Sequence, residues 1–338
     1  MSYGVSLLCK YLTPEVFEAL KEKKTRYGYT LEQLIRSGVE NPDSAVGVYA
    51  GDEESYTLFA PLLDPIIREY HGFGPDDRHV SDMDPSHLYA KNPDPEGRYV
   101  LSTRIRVARN LHCFPLGPNL ARRERLVVEC MVADALKALE GELAGEYYPL
   151  EGMNEATRRQ LIEDHFLFKE GDRFLEAAGL NRDWPEGRGI FHNRDKTFLV
   201  WVNEEDQMRI ISMQPGGDIP AVFARLAKAV AALQKRLTFA FSERLGYITS
   251  CPTNLGTAMR ASVHIRLPKL GGDMEAFKAI TDRYDLQIRG IHGEHSESEG
   301  GVYDISNKRR LGITEVQAVQ QMAEGVEALI DEEKRRGG

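Results

Sequence analysis

Polar and apolar positions change their period along the chain, and the change divides it into three stretches. From residue 12 to residue 71 the spacing is helical. Thr13 followed by Pro14 and Glu15 predicts a helix start, with Thr13 as cap and proline in the first turn. Thr30 opens a second helix with Leu31, Leu34 and Ile35 on one face. A third is predicted over Asp52 to His71, with Leu58, Leu62, Ile66 and Ile67 on one side. Between these lies a turn-rich run of small residues, Asn41 to Tyr49. Periodicity then disappears: Pro75, Pro85, Pro93 and Pro95 punctuate a polar stretch over 73–98.

Beyond it a period of two sets in. Leu101, Thr103, Ile105 and Val107 alternate with Ser102, Arg104, Arg106 and Ala108, which predicts a half-buried strand with the Leu101–Thr103–Ile105 side in the core. Phe198 to Val202 and Met208 to Met213 read as a hairpin turned by Asn203-Glu204-Glu205-Asp206. Val263, Ile265 and Leu267 mark a further strand, and Val302 to Ile305 another. Long helices interleave: Asp218 with Pro220 starts one, and Thr314 with Gln317 forms a capping box for the last. Strands at hairpin distance with helices between groups of them predict an α+β fold, not a doubly wound sheet. The expected division is a small all-helical N-terminal domain over 1–78, a linker over 79–98, and a larger domain over 99–338 with an antiparallel β-sheet flanked by helices.

Composition narrows the function. At 338 residues about two domains are expected. Hydrophobic content of 42% permits a sizeable core. A formal net charge of −9 argues against a nucleic-acid partner. The four cysteines, Cys9, Cys113, Cys130 and Cys251, form no CxxC pair and no zinc spacing. No signal-peptide layout and no membrane-length apolar run occurs, so a cytoplasmic protein with no membrane association is expected. P-loop, GxGxxG and protein-kinase signatures are absent from the sequence.

Several residues carry chemistry. Arg104 and Arg106 share a strand face, and two adjacent guanidinium groups call for an anion between them; exposed arginines paired with surface acids are the plainer reading of that pair alone. Glu204, Glu205 and Asp206 crowd one turn, which by itself reads as a solvated turn or as a group facing a cation. Cys251 sits on a polar, proline-stiffened turn near cationic residues, a setting that favours a thiolate. The acidic, glycine-bounded run 293–301 reads equally as a lid or a surface loop. His165 and His264 count for little alone.

Taken together, Ser102-Thr103-Arg104-Ile105-Arg106, Asn203 to Asp206 with Arg209, Cys251 to Thr257 with Arg260, Arg289 through Gly293-Glu294-His295, Val302 to Asn307, Ser44 to Tyr49 and Tyr70-His71-Gly72 resemble the phosphagen (ATP:guanidino) kinases, and within them the members that act on arginine. The resemblance covers nearly the whole chain in order. It implies a helical guanidino-recognition domain before a catalytic ATP-binding domain, and reversible transfer of the γ-phosphoryl group of MgATP to L-arginine, giving phosphoarginine and ADP. Taurocyamine, creatine and lombricine are the other substrates it admits. By similarity the nucleotide is held by Ser102, Thr103, Arg104, Ile105, Arg106, His165, Arg209, Arg260, Ala261, Ser262, Val263, His264, Arg289, Gly290, Ile291, His292, Gly293 and Glu294. The guanidino substrate is held by Ser44, Ala45, Val46, Gly47, Val48, Tyr49, Glu205, Cys251 and Glu294. The catalytic set is Glu205, Glu294, Cys251 and Arg209. Magnesium is expected on the phosphates and water, with Glu204 and Asp206 as outer partners and no protein metal site. Asp43 and Arg173 match a pair that bridges the two domains. Ala45 in place of glycine and Gln207 in place of histidine depart from the family pattern. A protein-arginine kinase would lack the helical domain, and a non-catalytic nucleotide sensor would lose Glu205, Glu294 or the arginines. Monomer and homodimer both stay open.

Overall fold

The computed structural model describes residues 6–163, 166–168, 170–289 and 300–337. The N-terminal helices are α1 (Leu7–Tyr11), α2 (Pro14–Leu20), α3 (Leu31–Glu40), α4 (Ser55–Leu58) and α5 (Ala60–His71). Thr13 caps α2 and Thr30 closes a capping box with Gln33 on α3, as their spacing predicts. The third predicted helix is instead two. Phe59 leaves helical geometry and the helix restarts at Ala60 as α5, with Pro61 in its first turn, where the missing N–H costs no intrahelical bond. Asp52 stays outside, its carboxylate accepting from Ser55 N at 2.8 Å.

The larger unit is built on one eight-stranded antiparallel sheet in the order β2-β3-β4-β5-β1-β8-β10-β9. Its strands are β1 (Val100–Arg109), β2 (Gly145–Pro149), β3 (Gly189–Asn193), β4 (Phe198–Val202), β5 (Met208–Pro215), β8 (Met259–Arg266), β9 (Leu286–Arg289) and β10 (Val302–Asn307). A two-stranded ribbon, β6 (Phe241–Ser242) with β7 (Gly246–Tyr247), lies apart from it. Helices α6 (Arg122–Lys137), α7 (Glu155–Glu163), α8 (Arg173–Ala177), α9 (Ile219–Gln234), α10 (Met274–Arg283) and α11 (Glu315–Arg335) complete the unit. Ile105, Val107, Ile210, Val263 and Ile305 of the sheet bury against Val222, Leu226, Val319 and Met322 of α9 and α11 in one core. Burying such side chains contributes about 1.5–3 kcal/mol each. On the opposite face, Ile190, Leu199 and Ile211 bury against Leu161, Leu167 and Phe168, and the polar side chains of β1, β8 and β10 stand beside that cluster.

One residue departs from the expected alternation. Leu101 is exposed, because the β1–β8 register shifts between Val100 and Ser102 and the bulge turns it outward. The proline-rich stretch packs onto the larger unit: Ser81 Oγ and Asp82 N donate to Glu315, and Asp94 accepts from Tyr99 N and Val100 N at 2.7 Å. The second core, around Leu34, Phe59, Leu62 and Ile66, takes in Leu116, Ile248, Leu255 and Leu311 from the larger unit. Both units therefore share buried surface at the place where Cys251 sits.

Candidate active site

Strand register alone gathers the arginines. Directly opposed residues of an antiparallel sheet share a face. Trp201 opposes Arg209, Arg209 opposes Ala108, and Arg106 opposes Arg260. His264 opposes both Ser102 and Asp304, and Asp304 opposes Arg289. With Arg104 two residues before Arg106, five arginines from four strands stand on the face turned away from α9 and α11. Like charges opposed in a sheet repel, so this face is built for a polyanion.

Its electrostatics agree. Burial, then the charges of Arg209 and Arg260, draw Arg104 down to about 10. Burial and four neighbouring arginines hold Arg106 well below its ordinary value. The Nε atoms of Arg106 and Arg260 are buried without a hydrogen-bond acceptor, a condition phosphate oxygens would relieve. Arg260 Nη2 meets Asp304 at 2.8 and 2.9 Å, and His264 Nε2 lies 3.5 Å from the same carboxylate. Burial would raise the Asp304 carboxyl, but His264 and Arg260 outweigh it and hold it low. Arg104 and Arg209 lie over the Trp201 ring, at 5.6 and 5.3 Å to its centroid.

The acidic turn sits at the edge of this face. Asn203 adopts positive φ, and its buried amide bonds Gly187 O at 2.7 Å. Asp206 is buried as well, accepting from Asn110 Nδ2 at 2.8 Å and Ser250 N at 2.9 Å. Asp206 therefore stitches the acidic turn to the cysteine segment through Oδ1, while Oδ2 is buried without a hydrogen-bond partner. Glu204 and Glu205 point to the arginines: Arg209 Nη1 is 3.0 Å from Glu204 and Nη2 is 3.2 Å from Glu205. Asn254 Nδ2 donates to Glu205 at 3.2 Å. Burial, then the Asp206 charge, pushes the Glu205 carboxyl up to about 7. Gln207 bridges Leu111 N at 2.7 Å and Pro115 O at 2.9 Å, a scaffolding role.

Cys251 also differs from expectation. It is buried among Tyr49, Ile248 and Leu255. Burial, then the nearby Glu205 charge, pushes its thiol up to about 12, so the substrate-free form holds a neutral thiol. Arg260, the cation near it in sequence, stands on the arginine face, and the carboxylates of Glu205 and Asp206 are its closer company. Thr253 Oγ1 lies 3.1 Å from Sγ.

The loop Ser44 to Tyr49 comes to the cysteine segment, where Tyr49 lies near Cys251 and Glu205. Leu7 N and Leu8 N bond Ala45 O and Val46 O, Gly38 N bonds Gly47 O at 3.1 Å, and Ala50 N bonds Ser250 O at 2.7 Å. A Cβ on Gly38 would stand 2.4 Å from Gly47 O, so helix and loop touch by backbone. Among the described residues, the N–H groups of 45–48 find no acceptor. Arg173 Nη1 meets Asp43 at 2.9 Å, so the expected bridging pair forms. His165, Gly290, Ile291, His292, Gly293 and Glu294 lie outside the described residues.

Residues 2–68 match the ATP:guanido phosphotransferase N-terminal domain, and residues 127–336 match the ATP:guanido phosphotransferase C-terminal catalytic domain. The chain belongs to the ATP:guanido phosphotransferase family. Among family members, an arginine kinase of Anthopleura japonica is 60% identical over 97% of this chain, which spans 46% of that relative's length. The arginine kinase Lit v 2 of Penaeus vannamei is 56% identical, over 97% of this chain and 93% of its own. Of solved phosphotransferases, a lombricine kinase superposes with a TM-score of 0.93 at 41% identity, covering 98% of this chain and 93% of that one. The duplicated taurocyamine kinase from Schistosoma mansoni, with bound transition state analog components, gives 0.92 at 47%, covering 98% and 46%.

The described face gathers Arg104, Arg106, Arg209, Arg260 and Arg289, and Ser102, Ser262 and His264 share that face with them. Thr103, Ile105, Ala261 and Val263 alternate to the other side and support the strands from the core. Trp201, Asp304 and Asn254 were not singled out from sequence. Trp201 looked like one more apolar strand position, and the roles of Asp304 and Asn254 depend on partners 44 and 49 residues away.

Proposed function

We propose that the chain transfers the γ-phosphoryl group of MgATP reversibly to the guanidino group of L-arginine, giving phosphoarginine and ADP. The observation that carries this is that three features adjoin: the five-arginine face, joined to Glu205 through Arg209; Glu205 beside Cys251; and the loop over 44–49, tied to the cysteine segment next to it by Ala50 N to Ser250 O. Arginine is the substrate named in the similar arginine kinases of Anthopleura japonica and Penaeus vannamei. The N–H groups of 45–48, without acceptors among the described residues, would serve as donors to a carboxylate, and the guanidino end would then reach Glu205.

In the forward reaction, a guanidino nitrogen attacks Pγ as the bond from Pγ to the β-bridging oxygen breaks. ADP leaves, and the proton shed by nitrogen passes to Glu205, whose ordinary range is already moved toward neutrality. The arginines stabilise charge on the transferring group, and alignment of the two substrates supplies about 7–11 kcal/mol in such reactions. Magnesium would travel on the phosphates with most of its water, and Glu204 at the cradle rim would contact that shell.

Because Glu205 must be ionised to hold a guanidinium, substrate binding near pH 7 is expected to release a proton. Calorimetric titration in buffers of different ionisation enthalpy reads this directly. Heat independent of buffer at pH 7 would show that Glu205 is already ionised. The deciding test is turnover with free L-arginine, taurocyamine, creatine, lombricine and an arginine-containing peptide. Turnover with free arginine above all others is expected. Preference for another guanidine would move the specificity, and silence across the panel would overturn the activity.

A further inference from the structure

We propose that Arg310 is a positioning residue for guanidino transfer, setting the turn Pro252-Thr253-Asn254 so that Asn254 offers its amide to Glu205 and Thr253 its hydroxyl to Cys251. This rests on the reading that Glu205 and Cys251 meet the guanidino group.

Arg310 follows β10 and lies half-buried behind the acidic turn. Its Nη1 donates to Asn254 Oδ1 and, at 3.3 Å, to Thr253 O. A guanidinium has only donors, so it must face the carbonyl end of the Asn254 side chain. The amide end is thereby turned to Glu205, where Nδ2 stands 3.2 Å from Oε1. Without Arg310, the two ends of this amide are alike in shape, and a half-turn would set oxygen against carboxylate. Thr253, held by the same guanidinium through its carbonyl, keeps its hydroxyl 3.1 Å from the Cys251 sulfur.

Arg310 is itself fixed. Its carbonyl accepts from Thr257 N at 2.8 Å, and a Cβ on Gly256 would come within 2.3 Å of that oxygen, so the two loops meet by backbone. From the other side, His71 at the end of α5 places Nε2 2.8 Å from Pro252 O. Burial draws His71 down to about 4, so it is a neutral donor at working pH. The turn is thus gripped by the helical unit through His71 and by the sheet unit through Arg310. The rival role, a sixth phosphate ligand, is suggested by the charges of Arg260 and Arg289 near it, but its Nη1 is committed to the turn.

The experiment compares Arg310→Met, Asn254→Ala and the double variant in the full chain. One readout is the acid-limb pKa of kcat/KM for arginine. The others are the ATP dissociation constant and the carboxyl carbon-13 titration of Glu205 in substrate-free protein, assigned with Glu205→Gln. Losing a donor raises a carboxylate's pKa, so each single variant should move the Glu205 titration up by about one unit. The double variant should move it by clearly less than the sum of the two, because Arg310 acts through Asn254 as well as by its own charge. kcat should fall about tenfold or more, with ATP affinity within about threefold of wild type. Weakened ATP binding with an unmoved Glu205 titration would make Arg310 a phosphate ligand and overturn the proposal. Additive shifts would overturn the relay through Asn254. If Arg310→Met does not fold, Asn254→Ala carries the same expectation. If the wild-type chain phosphorylates no guanidine, the activity reading fails, while the carbon-13 titration still decides the link from Arg310 to Glu205.

Discussion

Glu205→Gln is expected to lower kcat by about 10²- to 10⁴-fold with ATP affinity nearly unchanged. The amide keeps the shape and the acceptor toward Arg209, but can neither balance a guanidinium nor take its proton. The same change should stabilise the substrate-free protein at alkaline pH. The folded-state pKa of Glu205 is raised to about 7 from 4.5, mainly by burial. A raised carboxyl contributes stability that is fully present below the unfolded value and is lost as pH rises through the folded one. Wild type should therefore lose on the order of 1–3 kcal/mol between pH 4.5 and pH 8 from this group, and the glutamine variant should not. Thermal melts of both proteins at pH 5 and pH 8 measure it. A Tm difference that stays constant across that range would contradict a raised Glu205. Function and stability are opposed at this position.

Arg260→Met should be costly in two ways. Arg260 belongs to the five-arginine face proposed to hold the phosphates, and losing one such cation in phosphoryl transfer lowers kcat by about 10³-fold or more. It also neutralises Asp304, which it meets at 2.8 and 2.9 Å in a buried position. Removing one partner of a buried ion pair strands the other, at a cost on the order of 3 kcal/mol. Adding Asp304→Asn to Arg260→Met removes the stranded charge and should recover most of the melting temperature without recovering turnover. Recovery of both would place Arg260 in the scaffold alone. Retained turnover in the single variant would remove it from the cradle.

What was legible in the sequence follows from the range of each interaction. Caps at Thr13, Thr30, Asp218 and Thr314 depend on residues within three positions, and all four form as the spacing predicts. The alternation around Arg104 and Arg106 reports burial of one sheet face, and it holds except where a bulge turns Leu101 outward. The short strands β2, β3 and β9 escaped, since with five residues or fewer they show few alternations and, unlike β4, no continuous apolar run. The chemistry of Cys251 was misjudged for a similar reason. Its neighbours in sequence are polar, but its neighbours in space are Ile248, Leu255 and the Glu205 carboxylate. Asp206 looked like Glu204 and Glu205 in the sequence. Only the fold separates them, turning Asp206 inward to Asn110 and Ser250.

The register of β1 has a consequence for how the chain reaches this state. Arg106 stands opposite Arg260 and within reach of Arg209, so β1 must wait for β5 and then for β8, roughly 150 residues later. Such distant pairings close late in folding, and each arginine brought in adds repulsion to those already present. The cradle should thus be the most reluctant part of the sheet to assemble, and nucleotide can bind only after it exists. ATP present during refolding should accordingly slow unfolding far more than it speeds folding, acting as a latch on the finished molecule.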